Sequence, residues 1–322
     1  MPLTPSFGDR RIGPVTRLYR RLERRLLERL AMAVAPGVGH AVVWAMRLLA
    51  RLPRFRRNVE RDVAETDRDM APAVRAAVLG AWRDGVAAAR HDIPGAPRAD
   101  EGPVERLIDE AVDTVRRTHA HVPTVLDGAY RAVVDEAVRA ERDRGNTDRA
   151  RVVQRALDAF ARRGITGFVD ARGRRWDLVS YVEMAVRSAI TRAEVDAYCA
   201  QVAAAGHDLI VVSDVAGSCP LCSPFEGQVL SISGATVGAI AREATSGRTV
   251  TVTVWGSVAE ARARGLWHPN CRHVASVWTP DDPAPPRAVR VPDSVRAERR
   301  RARALARRER RNDRVRYVAQ SD

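Results

Sequence analysis

Three of the four cysteines fall into two short-range patterns that suit metal chemistry. Cys219-Pro-Leu-Cys222 is answered far downstream by His268-Pro-Asn-Cys271-Arg-His273. A Cys-x-x-Cys pair on a turn aims two thiolates at one point, and a second pair from a distant loop completes a tetrahedral shell of sulfur and nitrogen, the set zinc prefers. The spacing therefore nominates Cys219, Cys222, His268 and Cys271 as ligands, with His273 a possible substitute. Four protein ligands leave no open position for substrate, so such a zinc would be structural. The stretch between the pairs is longer than in the usual small zinc fingers. Two other readings compete. A redox pair of the thioredoxin kind should open a helix after a strand, whereas Pro224 and Gly227 follow here and a strand comes next. The thiols could also be reduced, buried and without a ligand. Cys199 lies inside a long helical pattern and reads as a small core residue.

Other catalytic constellations are missing from the sequence. It holds no GxxxxGK[ST] phosphate loop, no HExxH and no GxSxG. Asp214, Glu226 and Glu183 lie near the cysteine segment, but no spacing pairs them for acid–base work, and Glu226, just before Gly227, reads as a solvated turn residue. Of the seven histidines only His268 and His273 sit in a motif.

The elements that must position these residues follow from periodicity. Asp177 to Ala205 reads as a long helix with Val182, Val186, Ala189, Ile190, Ala193 and Ala197 on one face, closed by Gly206. Leu209–Ser213, Gln228–Ser233, Thr249–Trp255 and His273–Trp278 read as strands, and Ser257–Arg264 as a short helix. Upstream the pattern is helical: Leu18, Leu22, Leu26 and Leu30 recur every fourth position, a second stretch from Val42 to Leu52 is expected to end at Pro53, and further helices are expected over 70–91, 103–142 (interrupted near Pro123) and 148–163. The expected class is α+β, with a mainly helical N-terminal half, a small α+β C-terminal module and basic terminal arms. The boundaries read as 1–57 for a basic helical arm, 58–163 for a helical domain, 164–282 for the module with the Cys/His motif, and 283–322 for an Arg-rich tail.

Composition constrains the partners. Hydrophobic residues make up 45% of the 322, enough for a real core, but aromatics only 5%, so that core is mainly Ala, Val and Leu. Every basic residue is Arg, the side chain that forks onto carboxylate and phosphate. Residues 10–57 carry thirteen Arg against Glu23 and Glu28, and residues 283–322 carry thirteen against five acids, so the net charge of +14 belongs to the ends and the middle is slightly acidic. Such arms suit nucleic acid or an acidic protein surface, and are expected to pack little against the chain's own core; solvated helix faces are the plain alternative. The apolar run Leu30–Met46 is interrupted by Pro36, Gly37, Gly39 and His40, which argues against both a signal peptide and a membrane span.

Several separated blocks in order give the chain a resemblance. Asp208–Ser213, Cys219–Cys222, Pro224–Gly234 and His268–His273, with Gly164–Asp170 and Arg175–Ala185 upstream, resemble the phage minor capsid protein 2 family, and the His-Pro-Asn-Cys-Arg block is shared with Mu F-type head morphogenesis proteins. These blocks cover roughly residues 147–280. The resemblance implies a virion component of the phage head, present in few copies, bound to portal or capsid protein and acting in head assembly or DNA delivery, with no reaction and no membrane; host cytoplasm would be its place during assembly. The Cys-x-x-Cys pair departs from many members, which implies that a metal here serves stability in this branch. Two other classes remain open. One is a hidden peptidase or ADP-ribosyl transfer activity. The other is a non-specific DNA-binding protein working through the Arg-rich arms.

Overall fold

The structure, a computed structural model, describes residues 10–319 apart from 38–39, 96, 145–147, 170–172, 174, 216–217, 269–270 and 282–292. The expected turn at 145–146, Arg172 and Arg174 of the connector, Pro269 and Asn270 of the second motif and the Pro-rich linker from 282 onward lie outside the described residues.

The elements run α1 (Gly13–Ala33), α2 (Ala41–Asp92), α3 (Gly102–His119), α4 (Val122–Arg144), α5 (Arg149–Arg163), β1 (Thr166–Val169), β2 (Arg175–Asp177), α6 (Leu178–Ala204), β3 (Leu209–Val212), β4 (Val229–Ser231), β5 (Gly238–Glu243), β6 (Thr249–Ser257), α7 (Val258–Ala263), β7 (Ala275–Val277) and α8 (Asp293–Val318). The fold is α+β, as the periodicity predicts. Several ends carry the expected punctuation. Asp148 caps α5 by accepting from the Arg151 N–H, Gly164 closes it, and Ser257 with Glu260 forms a reciprocal capping box on α7.

Compactness groups the chain into two units, neither continuous in sequence. One comprises residues 1–13, 73–111 and 184–297, the other 14–72, 112–183 and 298–322. The divisions fall inside α1, α2, α3, α6 and α8.

The first unit holds the five-stranded sheet, in the order β5-β6-β4-β3-β7; β4 and β6 are parallel and the other neighbours antiparallel. Alternation along the strands splits the core between the two faces. Ile210, Val212 and Leu230 pack with Val195, Tyr198, Cys199 and Val202 of α6 and with Ala88 and Ala89 of α2. Leu209 and Val229 pack with Val254 and Trp278 on the other face. The Tyr198 hydroxyl donates to Asp92 at 2.7 Å and accepts from the Val277 N–H at 3.0 Å. Val186, Ile190 and Ala193 of α6 are buried as expected, as is Val182 on the part of α6 in the other unit.

The second unit is helical, with the small antiparallel ribbon β1-β2. It corrects the expectation for the first arm. Leu18, Leu22, Leu26 and Leu30 are buried in the chain itself, together with Val15, Tyr19 and Leu27. The Tyr19 hydroxyl meets His119 Nε2 at 2.6 Å. The arginines of α1 find acids: Arg29 Nε lies 2.6 Å from Asp62 and Arg25 Nη1 2.9 Å from Glu65. Carboxylates of the acidic middle thus reach the basic helix, so the repulsion that argued for a detached arm is locally met.

A second correction concerns Pro53. The helix expected to stop there runs on through Pro53 and Pro72. A helix-interior proline costs about 3 kcal/mol. Leu48, Leu52, Phe55, Val59 and Val63 are all buried along this stretch, and at about 1.5–3 kcal/mol for each large side chain their burial exceeds that cost.

Candidate metal centre

The sheet register explains why the two halves of the Cys/His motif meet. Val212 at the end of β3 pairs with Ala275 at the start of β7. The loop leaving β3, which carries Cys219 and Cys222, and the loop entering β7, which carries His268, Cys271 and His273, therefore emerge at the same end of the sheet.

Local turns then set the x-x spacing. The Cys222 N–H donates to the Cys219 carbonyl at 3.1 Å and the Cys271 N–H to the His268 carbonyl at 2.8 Å, so in each pair the second residue folds back over the first. Before His268 the backbone makes a sharp bend: Gly265 has φ 107° and Trp267 φ 55°. A bulky side chain rarely adopts that left-handed region. Trp267 is held there by packing on the sheet core and by the Arg262 guanidinium, 5.1 Å from its ring centroid.

The side chains form two triads that share Cys222. Cys219, Cys222 and His268 make one, and Cys222, Cys271 and His273 the other; within each, the donor atoms lie within 4.8 Å of one another. Cys219 Sγ is 2.9 Å from His268 Nε2, Cys222 Sγ 3.5 Å from Cys271 Sγ, and Cys271 Sγ 3.3 Å from His273 Nδ1. The spacing-nominated residues Cys219, Cys222, His268 and Cys271 are all in this cluster, and His273 is there as well. Either triad is a group that could hold a metal ion.

Glu226 is the residue that sequence reasoning missed. Read as a solvated turn residue, it instead turns inward: its Oε1 lies 2.8 Å from His273 Nε2 and accepts the Val215 N–H at 3.0 Å. The only sequence signal was its place in the short loop between Cys222 and β4, which did not reveal the direction of its side chain.

Electrostatics follow from these contacts. Burial would raise the Cys271 thiol, but hydrogen bonds from the His273 ring and backbone outweigh it and hold that thiol below its ordinary value. Burial would lower the His273 imidazole, but Cys271 and Glu226 draw it up. Burial would raise Glu226, yet the Val215 N–H and His273 keep it below the usual carboxylate range. Burial drives the Cys222 thiol up, reinforced by the neighbouring Cys271 sulfur. Cys199 belongs to neither triad; it is a core residue, as its helical position suggested, and burial pushes its thiol up to about 12. Neither Asp214 nor Glu183 belongs to the triads.

Thiol, imidazole and carboxylate in line can serve two chemistries. They are the parts of an activated nucleophile with its base and orienter, and equally of a metal-ligating cysteine and histidine with an outer carboxylate. Cys271 is only 8% exposed and a second sulfur sits against it. A substrate would find little access there, whereas a small ion needs none.

Among the described residues no helix is long and apolar enough to cross a membrane. A family model described as "Phage minor capsid protein 2" matches residues 3–321. The match takes in the helical half and the tail as well as the blocks that carried the resemblance. Neither a curated protein nor a solved structure gives a match.

Proposed function

Because the chain belongs to the phage minor capsid protein 2 family, we propose that it assembles on the portal or major capsid protein inside the phage head and acts in head assembly or DNA delivery. The match over nearly the whole chain carries this reading: the protein is a structural component of the virion, and capsid proteins are its natural partners. A surface feature supports it. Val42, Met46 and Leu49 of α2 are exposed by 37–67% of their surface and, with Val134 and Val138 of α4, line a shallow, mainly apolar groove. Contiguous exposed apolar surface of this kind suits a protein–protein contact. Host cytoplasm would be the site of assembly.

The Arg-rich α8 is the candidate contact with packaged DNA. Arg300, Arg301, Arg307, Arg308 and Arg311 are exposed, and phosphate neutralisation by arginine gives sequence-independent, salt-sensitive binding.

The Cys/His cluster is read as the seat of one structural zinc ion. Three thiols and two imidazoles, gathered into two triads that share Cys222, are the donor types zinc takes, and their meeting ties the β3–β4 loop to the loop that enters β7. The alternative of a thiol enzyme, peptidase or transferase, draws on the line from Cys271 through His273 to Glu226 but has no accessible nucleophile.

The test of the main reading is composition and assembly. Purified virions should contain the protein at few copies, and particles made without it should be defective in assembly or in DNA delivery. Virions that lack the protein, or particles indistinguishable without it, would overturn the assignment.

A further inference from the structure

The five donors fall into two triads that share Cys222, and a tetrahedral ion takes four ligands. We propose that the ion is held by Cys219, Cys222, Cys271 and Nδ1 of His273, that Glu226 is the positioning residue for His273, and that His268 hydrogen-bonds the Cys219 thiolate from outside the coordination shell. The proposal rests on the structural-metal reading above and replaces His268, the histidine that spacing alone nominates.

With bonds of about 2.3 Å to sulfur and about 2.0–2.1 Å to nitrogen, a tetrahedral site has edges of about 3.5–3.6 Å from sulfur to nitrogen and about 3.7–3.8 Å between sulfurs. Cys271–His273 at 3.3 Å and Cys222–Cys271 at 3.5 Å are already close to those edges. Cys219–His268 at 2.9 Å is far shorter than a sulfur–nitrogen edge. That pair is in direct contact, and an ion that bound both would have to push them apart.

A metal-bound histidine almost always gives its other N–H to a carboxylate, carbonyl or water, which fixes the tautomer and aims the ring. His273 has that arrangement: with Nδ1 toward the sulfurs, Nε2–H donates to Glu226 at 2.8 Å. Glu226 is itself fixed by the Val215 N–H and by Ser218. The orienting chain reaches back to the loop after β3, so the strand ends that bring the cysteines together also set the imidazole.

His273 is 2% exposed, deep beside the buried Cys222 and Cys271, whereas His268 is half-buried on the rim. An imidazole that donates to the Cys219 thiolate there offsets part of the charge that three thiolates place on the site, as does the His273 N–H that donates to Cys271 Sγ at 3.4 Å.

The experiment is metal analysis and cobalt substitution on the full-length chain purified without chelator. The wild type should carry one zinc and, with Co²⁺ in its place, show the intense visible absorption of a tetrahedral site together with thiolate charge transfer. His268→Ala should keep both the stoichiometry and the tetrahedral spectrum. His273→Ala should lose them, and His273→Cys should restore tetrahedral binding with stronger charge transfer, which separates a lost ligand from a misfolded chain. Glu226→Gln should weaken zinc about 10–100-fold while keeping the spectrum. A wild type that binds neither metal overturns the metal reading itself. A bound metal that is lost in His268→Ala, whether or not His273→Ala also loses it, overturns the assignment made here and leaves the metal reading standing.

Discussion

The C-terminal end of α8 offers a sharp test of how the Arg-rich tail is attached, because it depends on one buried guanidinium. Arg314 is 8% exposed and Glu23 on α1 only 6%. Arg314 Nη1 lies 3.1 Å from Glu23 Oε1 and 3.5 Å from Asp177 Oδ1. Gly164 makes room for it: a side chain there would collide with the guanidinium. Removing one member of a buried pair leaves the other charge desolvated and costs about 3–5 kcal/mol, whereas an exposed pair is worth about 0–1 kcal/mol. Arg314→Ala should therefore destabilise the second unit by about 3–5 kcal/mol, most of it from stranding Glu23. Asp177 loses less, because it also accepts from the Ser180 N–H at 3.1 Å and the Ser180 hydroxyl at 2.9 Å. Replacing both partners by apolar residues of similar size, Glu23→Leu with Arg314→Met, should recover most of the loss, since a buried ion pair is often no better than good packing. The assay is urea denaturation of the full-length chain, read as a double-mutant cycle with a coupling of about 0.5–3 kcal/mol. A loss under about 1 kcal/mol for Arg314→Ala, with no coupling to Glu23, would mean that the helix end is solvated and would refute the anchoring argument.

Further outcomes follow from the same contacts. Ile190→Asp should destabilise the sheet-bearing unit by about 3–5 kcal/mol, measured by denaturant melting, because Ile190 is fully buried and the carboxylate would have no counter-charge. Leu26→Ala should cost about 2–5 kcal/mol, and limited proteolysis should spare α1; rapid cleavage within Gly13–Ala33 would contradict its burial. Cys222→Ser should lower the thermal midpoint, as should a strong chelator acting on the parent, since metal binding is coupled to folding; a parent indifferent to chelation counts against a structural ion. If α8 neutralises about six to ten phosphates, DNA affinity should fall about 10³–10⁵-fold between 50 and 200 mM salt, and a chain ending at residue 286 should lose both the binding and its slope.

The parts of the fold legible in sequence are those whose side chains repeat at one period. The face of α6 from Val186 to Ala193 and the run at β3 read directly, because burial on one side of a helix or in the centre of a sheet writes itself as spacing. Strands β1, β2 and β5 escaped notice. They are short or, like β5 with its Gly238–Glu243 sequence and mostly exposed residues, carry no apolar alternation. Pro53 misled for a different reason: local preference gave a stop, and the burial of Leu52, Phe55 and Val59 beyond it gave the continuation. The grouping into units was not readable either, since it joins residues 73–111 to 184–297, a long-range association that no local pattern records. At the cluster, cysteine spacing named two loops that the structure brings together. Glu226 is invisible to spacing because its role comes from which way a turn side chain points.

The two basic ends also show how the same composition serves different ends. Both carry thirteen arginines, and charge counting treats them alike. What separates them is the apolar stripe. Leu18, Leu22, Leu26 and Leu30 give α1 a face worth burying, and acids such as Asp62 and Glu65 stand opposite the arginines that flank it. Among the described side chains α8 has no comparable stripe: Leu305 is 58% exposed, and those that are buried are Arg314 and Val318 near its end. A helix held at one end with an arginine surface along most of its length cannot lower its self-repulsion by packing on its own core. An anionic partner would lower it, which is the physical reason to look for DNA or an acidic capsid surface at α8 and not at α1.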